Sequence, residues 1–270
     1  MWGCDRVFYY PDARVRGTPL DHGLVYQDVT FKTADGVTLH GWFLPAEVRP
    51  GEEPLGTVIQ FHGNAANLTG HYEFGRWLPG SGYNFFVFDY RGYGRSGGSI
   101  SRAGSILDGD AALDYVRSRP DVDADRVFII GQSLGGAVGI VTTARRKGQV
   151  RGLVVEGTFS RYKDVARYHV TSQPLALLLA WWYPLMLNGE YDPIDSVGDV
   201  APTPLLVIHG GADRVVPARM GRELFEKANE PKSLWIVDEM DHYQIWYDDE
   251  ARAKARVLAF LEKSLSGAAE

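Results

Sequence analysis

The sequence contains almost no cysteine and no block of basic residues. Cys4 is the single cysteine among 270 residues, which excludes an internal disulfide. Asp and Glu number 34 against 28 Lys and Arg, and the formal net charge of −6 argues against general nucleic-acid binding. The sequence has neither a zinc-ligand cluster nor a Gly-x-x-x-x-Gly-Lys phosphate loop. We therefore expect no nucleic-acid partner, no metal and no cofactor.

The chain as written also lacks an N-terminal hydrophobic leader and a segment suited to span a membrane. A cytoplasmic protein is therefore expected. The pair Gly3-Cys4 supports an alternative, because a small residue followed by cysteine is what remains at a bacterial lipoprotein processing site. If the true start lies upstream, Cys4 would carry a lipid and anchor the protein to a membrane.

The length suits a single domain covering residues 1–270. Short apolar segments alternate with helical patterns, which predicts an α/β fold with a mostly parallel central sheet and helices on both faces. The segments are 57–61, 84–89, 127–130, 152–156, 205–209 and 233–237. Ahead of them, segments 26–33 and 37–44 flank an Asp-Gly turn and predict an antiparallel hairpin at the sheet edge. Helices are expected at 105–119, 219–228 and 249–265.

One region departs from this alternation. Residues 173–187 are unusually apolar, and Pro184 interrupts them. We expect a short cap inserted at about 160–200, in which Trp181, Trp182 and Tyr183 line an apolar substrate pocket. Two other interpretations stay open, namely a buried crossover helix and a surface that makes peripheral contact with a membrane.

The most informative segment is the apolar strand at 127–130 followed by Gly131-Gln132-Ser133-Leu134-Gly135. This Gly-x-Ser-x-Gly pattern between a strand and a helix predicts a tight turn that displays one hydroxyl as a nucleophile. The pattern occurs twice, because Gly94-Arg95-Ser96-Gly97-Gly98 also fits it. The second copy is followed by polar residues and does not open directly into an apolar helix. Ser133 is therefore the predicted nucleophile, and Ser96 the alternative.

A serine hydroxyl needs a histidine base, which in turn needs an orienting carboxylate. In a sheet of this kind the acid and then the histidine are expected in loops after later strands. Asp213 follows the segment 205–209, and His242 follows the last strand and precedes the last helix. Glu156, at the end of a strand, is the alternative acid. Asp241 adjoins His242 in sequence, which disfavours the geometry of an acid–base pair.

Acyl transfer also needs two N–H donors for the oxygen that becomes negatively charged in the transition state. The first predicted donor is the backbone of Leu134, directly after the nucleophile. The second is the backbone of Asn64, since Gly63 allows the chain to turn sharply after the strand at 57–61.

Taken together, five segments resemble the α/β-hydrolase superfamily, in the order that the family shows. These are His62-Gly63-Asn64-Ala65, the stretch from Asp89 to Ser96, Gly131 to Gly136, His209 to Pro217, and His242. Within the superfamily the chain is most similar to small membrane-associated hydrolases related to depalmitoylases and to serine aminopeptidase-like hydrolases. Serine at the elbow distinguishes it from dehalogenases and epoxide hydrolases, which carry aspartate there.

The resemblance implies a serine hydrolase whose partner is a small ester or acyl substrate. We expect it to cleave carboxylic esters or thioesters through an acyl-enzyme. A serine aminopeptidase or amidase is the nearest alternative, for which Glu156 is the one obvious carboxylate that could receive a peptide amine. A non-catalytic ligand-binding protein is the alternative from another class, because a fold does not dictate function.

Overall fold

The computed structural model describes residues 9–172, 182 and 187–267. Its strands are β1 (Tyr10–Pro11), β2 (Gln27–Lys32), β3 (Thr38–Leu44), β4 (Gly56–Phe61), β5 (Ala65–Ala66), β6 (Tyr83–Asp89), β7 (Val127–Gln132), β8 (Gly152–Glu156), β9 (Leu205–Gly210) and β10 (Lys232–Val237). Its α-helices are α1 (Leu68–His71), α2 (Arg102–Arg117), α3 (Leu134–Arg145), α4 (Tyr162–Ser172), α5 (Pro193–Ser196), α6 (Ala218–Lys227), α7 (Ile245–Asp248) and α8 (Glu250–Ser266).

Eight of these strands form one sheet in the order β10-β9-β8-β7-β4-β6-β3-β2. Strands β4 and β6 to β10 pair in parallel, whereas β3 is antiparallel to both β6 and β2. The predicted α/β fold, with an antiparallel hairpin at the N-terminal edge, is confirmed. The short strands β1 and β5 form a separate parallel pair.

Helices cover both faces of the sheet, which explains why its central strands are mostly apolar. Every residue of β4 and of β6 is buried. On one face Phe61 and Phe88 belong to a core with α2, α3 and α6, and on the other Val58 and Phe128 belong to a core with α8. A parallel strand buried on both faces gains by being apolar at every position, whereas one exposed face would favour alternation.

The predicted helices are present, with shifted ends. Helix α2 begins three residues earlier than expected because the Ser101 hydroxyl accepts a hydrogen bond from the N–H of Gly104 at 3.0 Å and caps the helix. Helix α4 was not anticipated and begins the region predicted to form a cap. Most of the apolar run in that region lies outside the described residues, as does Cys4.

Within the described part of the chain, no helix is both long and apolar enough to cross a membrane. The same residues contain no cluster of three or more histidine, cysteine, aspartate or glutamate side chains arranged to hold a metal ion.

Candidate active site

Ser133 occupies a strained turn between β7 and α3. Its backbone angles, φ 52° and ψ −111°, are unusual for a residue with a side chain. The flanking glycines make the turn feasible. A β-carbon on Gly131 would lie 2.5 Å from the carbonyl oxygen of Gly135, and one on Gly135 would lie 1.8 Å from the carbonyl oxygen of Phe61. Only glycine allows β7, β4 and α3 to approach this closely.

The predicted acid and base meet beside this turn. The Nδ1 atom of His242 lies 2.7 Å from Oδ2 of Asp213, although 29 residues separate them in sequence. His242 follows β10 and Asp213 follows the adjacent strand β9, so the parallel pairing of these strands brings their carboxyl ends together. A β-carbon built on Gly157 would lie 2.8 Å from Cε1 of His242, so the imidazole packs against the end of β8.

Asp213 is held by backbone donors as well as by the histidine. Its Oδ1 accepts hydrogen bonds from the N–H groups of Val215 at 2.8 Å and Val216 at 2.7 Å. The side chain is fully buried. The buried His209 secures the same loop, because its Nε2 lies 2.8 Å from the carbonyl oxygen of Val216. These contacts fix the carboxylate so that its second oxygen points at the imidazole.

Asp241 adjoins the predicted base in sequence, and its carboxylate faces Arg214. Its carboxylate accepts hydrogen bonds from Nε of Arg214 at 2.6 Å and from the N–H of Arg214 at 2.9 Å. It also accepts the N–H of His242 at 2.8 Å. Asp241 therefore connects the loops that carry Asp213 and His242.

Glu156, the alternative acid, is fully buried beneath the elbow. Its Oε2 accepts hydrogen bonds from Nε1 of Trp246 at 2.7 Å and from Nε2 of Gln132 at 3.2 Å. Gln132 precedes the elbow serine and also accepts a hydrogen bond from Gln60 at 3.0 Å. Burial raises the pKa of the Glu156 carboxyl. Glu156 thus supports the elbow from below, and the carboxylate that accepts the hydrogen bond of the imidazole is that of Asp213.

The loop after β4 carries Asn64, the predicted second donor. Tyr93 donates a hydrogen bond to the carbonyl oxygen of Asn64 at 2.6 Å. The Nδ1 atom of His62 lies 2.7 Å from the carbonyl oxygen of Gly63, and His71 stacks on His62 with ring centroids 5.0 Å apart. Burial lowers the pKa of His62 and lowers that of His71 to about 3, so both rings stay neutral at ordinary pH. The loop that carries Asn64 is therefore held by two uncharged imidazole rings, those of His62 and His71.

Leu134, the predicted first donor, is the first residue of α3. The N–H groups in the first turn of a helix have no acceptor within the helix, and they point towards the side from which an anion would approach. The backbone of Leu134 is thus available beside the Ser133 hydroxyl.

The competing serine is used structurally. The Ser96 hydroxyl donates to the carbonyl oxygen of Asp89 at 2.7 Å and accepts the N–H of His40 at 2.9 Å. Both contacts tie the glycine-rich loop to the sheet edge. Ser96 therefore lacks the strand–turn–helix setting that displays Ser133.

Tyr243 is a site residue that the sequence analysis missed. Its ring centroid lies 3.9 Å from that of His242, and Phe74 packs against its ring at 5.7 Å. Adjacency to the predicted base was the available signal, but sequence gives no indication of which way a loop side chain points. The backbone φ of 58° turns this side chain towards the elbow.

The predicted pocket is described only in part. The Trp182 side chain is 47% exposed, while Trp181 and Tyr183 lie outside the described residues. Helix α4 reaches the site through His169, an exposed residue whose pKa is lowered by partial desolvation and by the neighbouring His242. The pocket lining and the membrane contact proposed for the apolar run stay predictions.

Comparison with known proteins identifies relatives along most of the chain. Residues 52–192 match the family described as serine aminopeptidase, S33. The uncharacterized protein YfhR of Escherichia coli strain K12 is 34% identical over 243 residues, covering 89% of this chain and 81% of YfhR. The α/β-hydrolase domain-containing protein WAV2 of Arabidopsis thaliana is 33% identical over 224 residues, covering 78% of this chain and 69% of WAV2.

Solved structures share the architecture. The esterase Pf2001 of Pyrococcus furiosus superposes with a TM-score of 0.77 at 26% identity, covering 95% of this chain and 99% of the esterase. An acetyl xylan esterase from Paenibacillus sp. R4 superposes with a TM-score of 0.71, covering 91% of this chain and 87% of that one. Its identity of 19% makes this second likeness one of fold alone.

Proposed function

The chain belongs to the serine aminopeptidase S33 family of α/β-hydrolases, and we propose that it cleaves carboxylic esters or thioesters of apolar acyl groups through an acyl-enzyme. The observation that carries this proposal is the 2.7 Å contact between His242 Nδ1 and Asp213 Oδ2, formed beside a serine at φ 52°. A buried acid, an oriented imidazole and a displayed hydroxyl are the parts that nucleophilic acyl transfer needs.

The three side chains act in sequence in the proposed reaction. The Ser133 oxygen attacks the carbonyl carbon while Nε2 of His242 takes its proton. Asp213 holds the proton on Nδ1 and stabilises the imidazolium that forms. His242 then returns the proton to the leaving alcohol or thiol. A water molecule, activated by the same histidine, releases the acid from Ser133.

The negative charge on the carbonyl oxygen needs fixed donors. We assign these to the backbone N–H groups of Leu134 and Asn64. The loss of one such donor typically costs about 3 kcal/mol of transition-state stabilisation. The N-terminal end of α3 adds a favourable field at the same point.

Two observations favour an ester over a peptide. The Pyrococcus furiosus relative at 26% identity is an esterase. An aminopeptidase needs a group that receives the substrate amine, and the carboxylate considered for that role, Glu156, is fully buried and bonded to Trp246 and Gln132. Aminopeptidase activity is the second candidate, because the matching family is described as serine aminopeptidase, S33.

The test is hydrolysis of p-nitrophenyl esters from acetate to palmitate by wild type and by Ser133→Ala. We expect turnover that falls at least about 10,000-fold in the variant. Ser96→Ala is the matched control, because it removes the other Gly-x-Ser-x-Gly hydroxyl, and it should keep more than about a tenth of the activity.

Labelling by a fluorophosphonate separates the remaining alternatives. Reaction at Ser133 without turnover of any ester would favour amide or peptide substrates, which aminoacyl p-nitroanilides would then detect. Failure of Ser133 to react at all, in a folded protein, would contradict the proposed nucleophile and favour a non-catalytic binding protein.

A further inference from the structure

Tyr243 is held in a conformation that a side chain rarely adopts. It directly follows His242, and its φ of 58° lies in the left-handed region. Such a conformation is strained in a residue other than glycine and persists where the surrounding structure imposes it. The result here is that two consecutive rings, with centroids 3.9 Å apart, both turn towards the elbow.

The phenol spans the distance between the end of β8 and the loop that carries Asn64. At one end, its Cε1 would lie 3.4 Å from a β-carbon built on Gly157. At the other end, its hydroxyl oxygen would lie 3.3 Å from a β-carbon built on Gly63. Gly63 immediately precedes the proposed second donor, so the hydroxyl lies beside the place where the carbonyl oxygen of a substrate would sit.

The hydroxyl of Tyr243 is buried and makes no well-formed hydrogen bond with any described residue. Burial raises the pKa of the phenol well above its usual range, while the nearby Ser133 side chain acts in the opposite direction. The phenol therefore keeps its proton at every pH at which a serine hydrolase works. A buried donor that makes no well-formed hydrogen bond, and whose polar neighbour is the nucleophile itself, is costly to the fold unless a ligand uses it.

We propose that the Tyr243 hydroxyl is a third donor to the oxyanion, beside the N–H groups of Leu134 and Asn64. The inference rests on the proposed function and adds a catalytic residue to it. When the bond from Ser133 to the carbonyl carbon forms, the electron pair of the C=O bond moves to oxygen. The serine proton goes to His242, and the phenol donates a hydrogen bond while keeping its own proton.

The first test compares Tyr243→Phe with Tyr247→Phe on the ester that wild type cleaves best. Tyr247 is the matched control, because its ring also packs on Phe74, at 6.0 Å, but it is 74% exposed. We expect kcat to fall about 100-fold in Tyr243→Phe, with KM within about twofold, and to stay unchanged in Tyr247→Phe. The melting temperature of Tyr243→Phe should change little, since the oxygen removed makes no well-formed hydrogen bond.

The second test asks whether the phenol contacts the carbonyl oxygen itself. A thionoester replaces that oxygen by sulfur, a poorer acceptor, so wild type should prefer the matched oxoester. We expect this preference, as a ratio of kcat/KM values, to shrink about tenfold in Tyr243→Phe. The ratio does not depend on how much of the sample is folded, so it remains decisive if the variant is less stable.

The outcomes separate this inference from the proposed function. If Ser133→Ala is inactive but Tyr243→Phe keeps its activity and its oxoester preference, the third donor is wrong and the serine mechanism stands. An increase in kcat would also overturn the inference, since it would show that the phenol slows the reaction of Ser133. Activity that survives in Ser133→Ala would contradict the proposed function itself.

Discussion

Asp241 and Arg214 form a bridge between the two loops that carry the proposed acid and base. The Asp241 carboxylate accepts hydrogen bonds from Nε of Arg214 at 2.6 Å and from the backbone N–H of His242 at 2.8 Å. Asp213 immediately precedes Arg214, so a change in this bridge moves both members of the acid–base pair. The bridge positions the two loops and is not itself the acid–base contact, because Nδ1 of the His242 ring faces Asp213.

Asp241→Asn should therefore reduce activity through geometry. We expect a fall in kcat of about tenfold, since small displacements of positioned groups have effects of this size or larger. Steady-state kinetics on the preferred ester would measure it. Asp238→Asn is the control, because Asp238 is an exposed carboxylate of the same turn. Equal activity of the two variants would contradict the role of the bridge.

The same bridge predicts a dependence of stability on pH. Backbone hydrogen bonding from Arg214 is the leading cause that lowers the pKa of Asp241 to about 2. An unfolded aspartate titrates near about 3.9, so the stabilisation is present above that pH and is lost as pH falls towards the folded value. The difference in melting temperature between wild type and Asp241→Asn should be constant from pH 7 to 5 and shrink below pH 4.

Ser96→Ala should affect stability more than catalysis. The variant leaves the carbonyl oxygen of Asp89 and the N–H of His40 without their hydroxyl partner. Such losses typically cost about 1 kcal/mol or slightly more in the free energy of unfolding. Urea unfolding monitored by circular dichroism would measure the change. A variant as stable as wild type but inactive would reverse the roles of the two serines.

Gly135→Ala should severely destabilise the elbow. The added carbon would lie 1.8 Å from the carbonyl oxygen of Phe61, and a backbone atom cannot yield as a side chain can. We expect a loss of about 3 kcal/mol or more, or no folded protein at all. Gly139→Ala lies in the same helix, and its nearest new neighbour is a methyl group of Ile129 at 3.3 Å. The free energy of unfolding of this control variant should lie within about 1 kcal/mol of the wild-type value.

Glu156→Gln should gain stability relative to wild type as pH rises. Burial raises the pKa of this carboxyl, so the folded state favours its protonated form. The free energy of unfolding therefore falls as pH rises from about 4.3, the unfolded value, through the folded pKa. Glutamine removes that fall, so the advantage of the variant should grow from pH 4 to pH 8. The exposed Glu239→Gln serves as the control in thermal unfolding across this range.

Much of the fold was predictable because its central strands are mostly apolar and its turns carry glycine. The buried pattern of β4 and β6 follows from packing on both faces, and this composition is visible in the sequence. Helix α4 was not predicted, although its buried residues Tyr162, Val165, Ala166 and Val170 recur at helical spacing. Helix ends depended on single caps such as Ser101, which periodicity does not register.

The sequence by itself determined the elbow. Positions 131 and 135 accept only glycine, because a β-carbon at either position would collide with backbone atoms. The sequence also determined the order of strands and helices along the chain. The sequence predicts Asp213 as the acid from its position after a strand, but only the tertiary structure shows that Asp213, and not Glu156 or Asp241, faces the His242 ring, because the donors around each carboxylate come from distant segments. Tertiary structure alone decided the direction of the Tyr243 phenol, because a loop side chain is directed by backbone angles and packing partners far away in sequence.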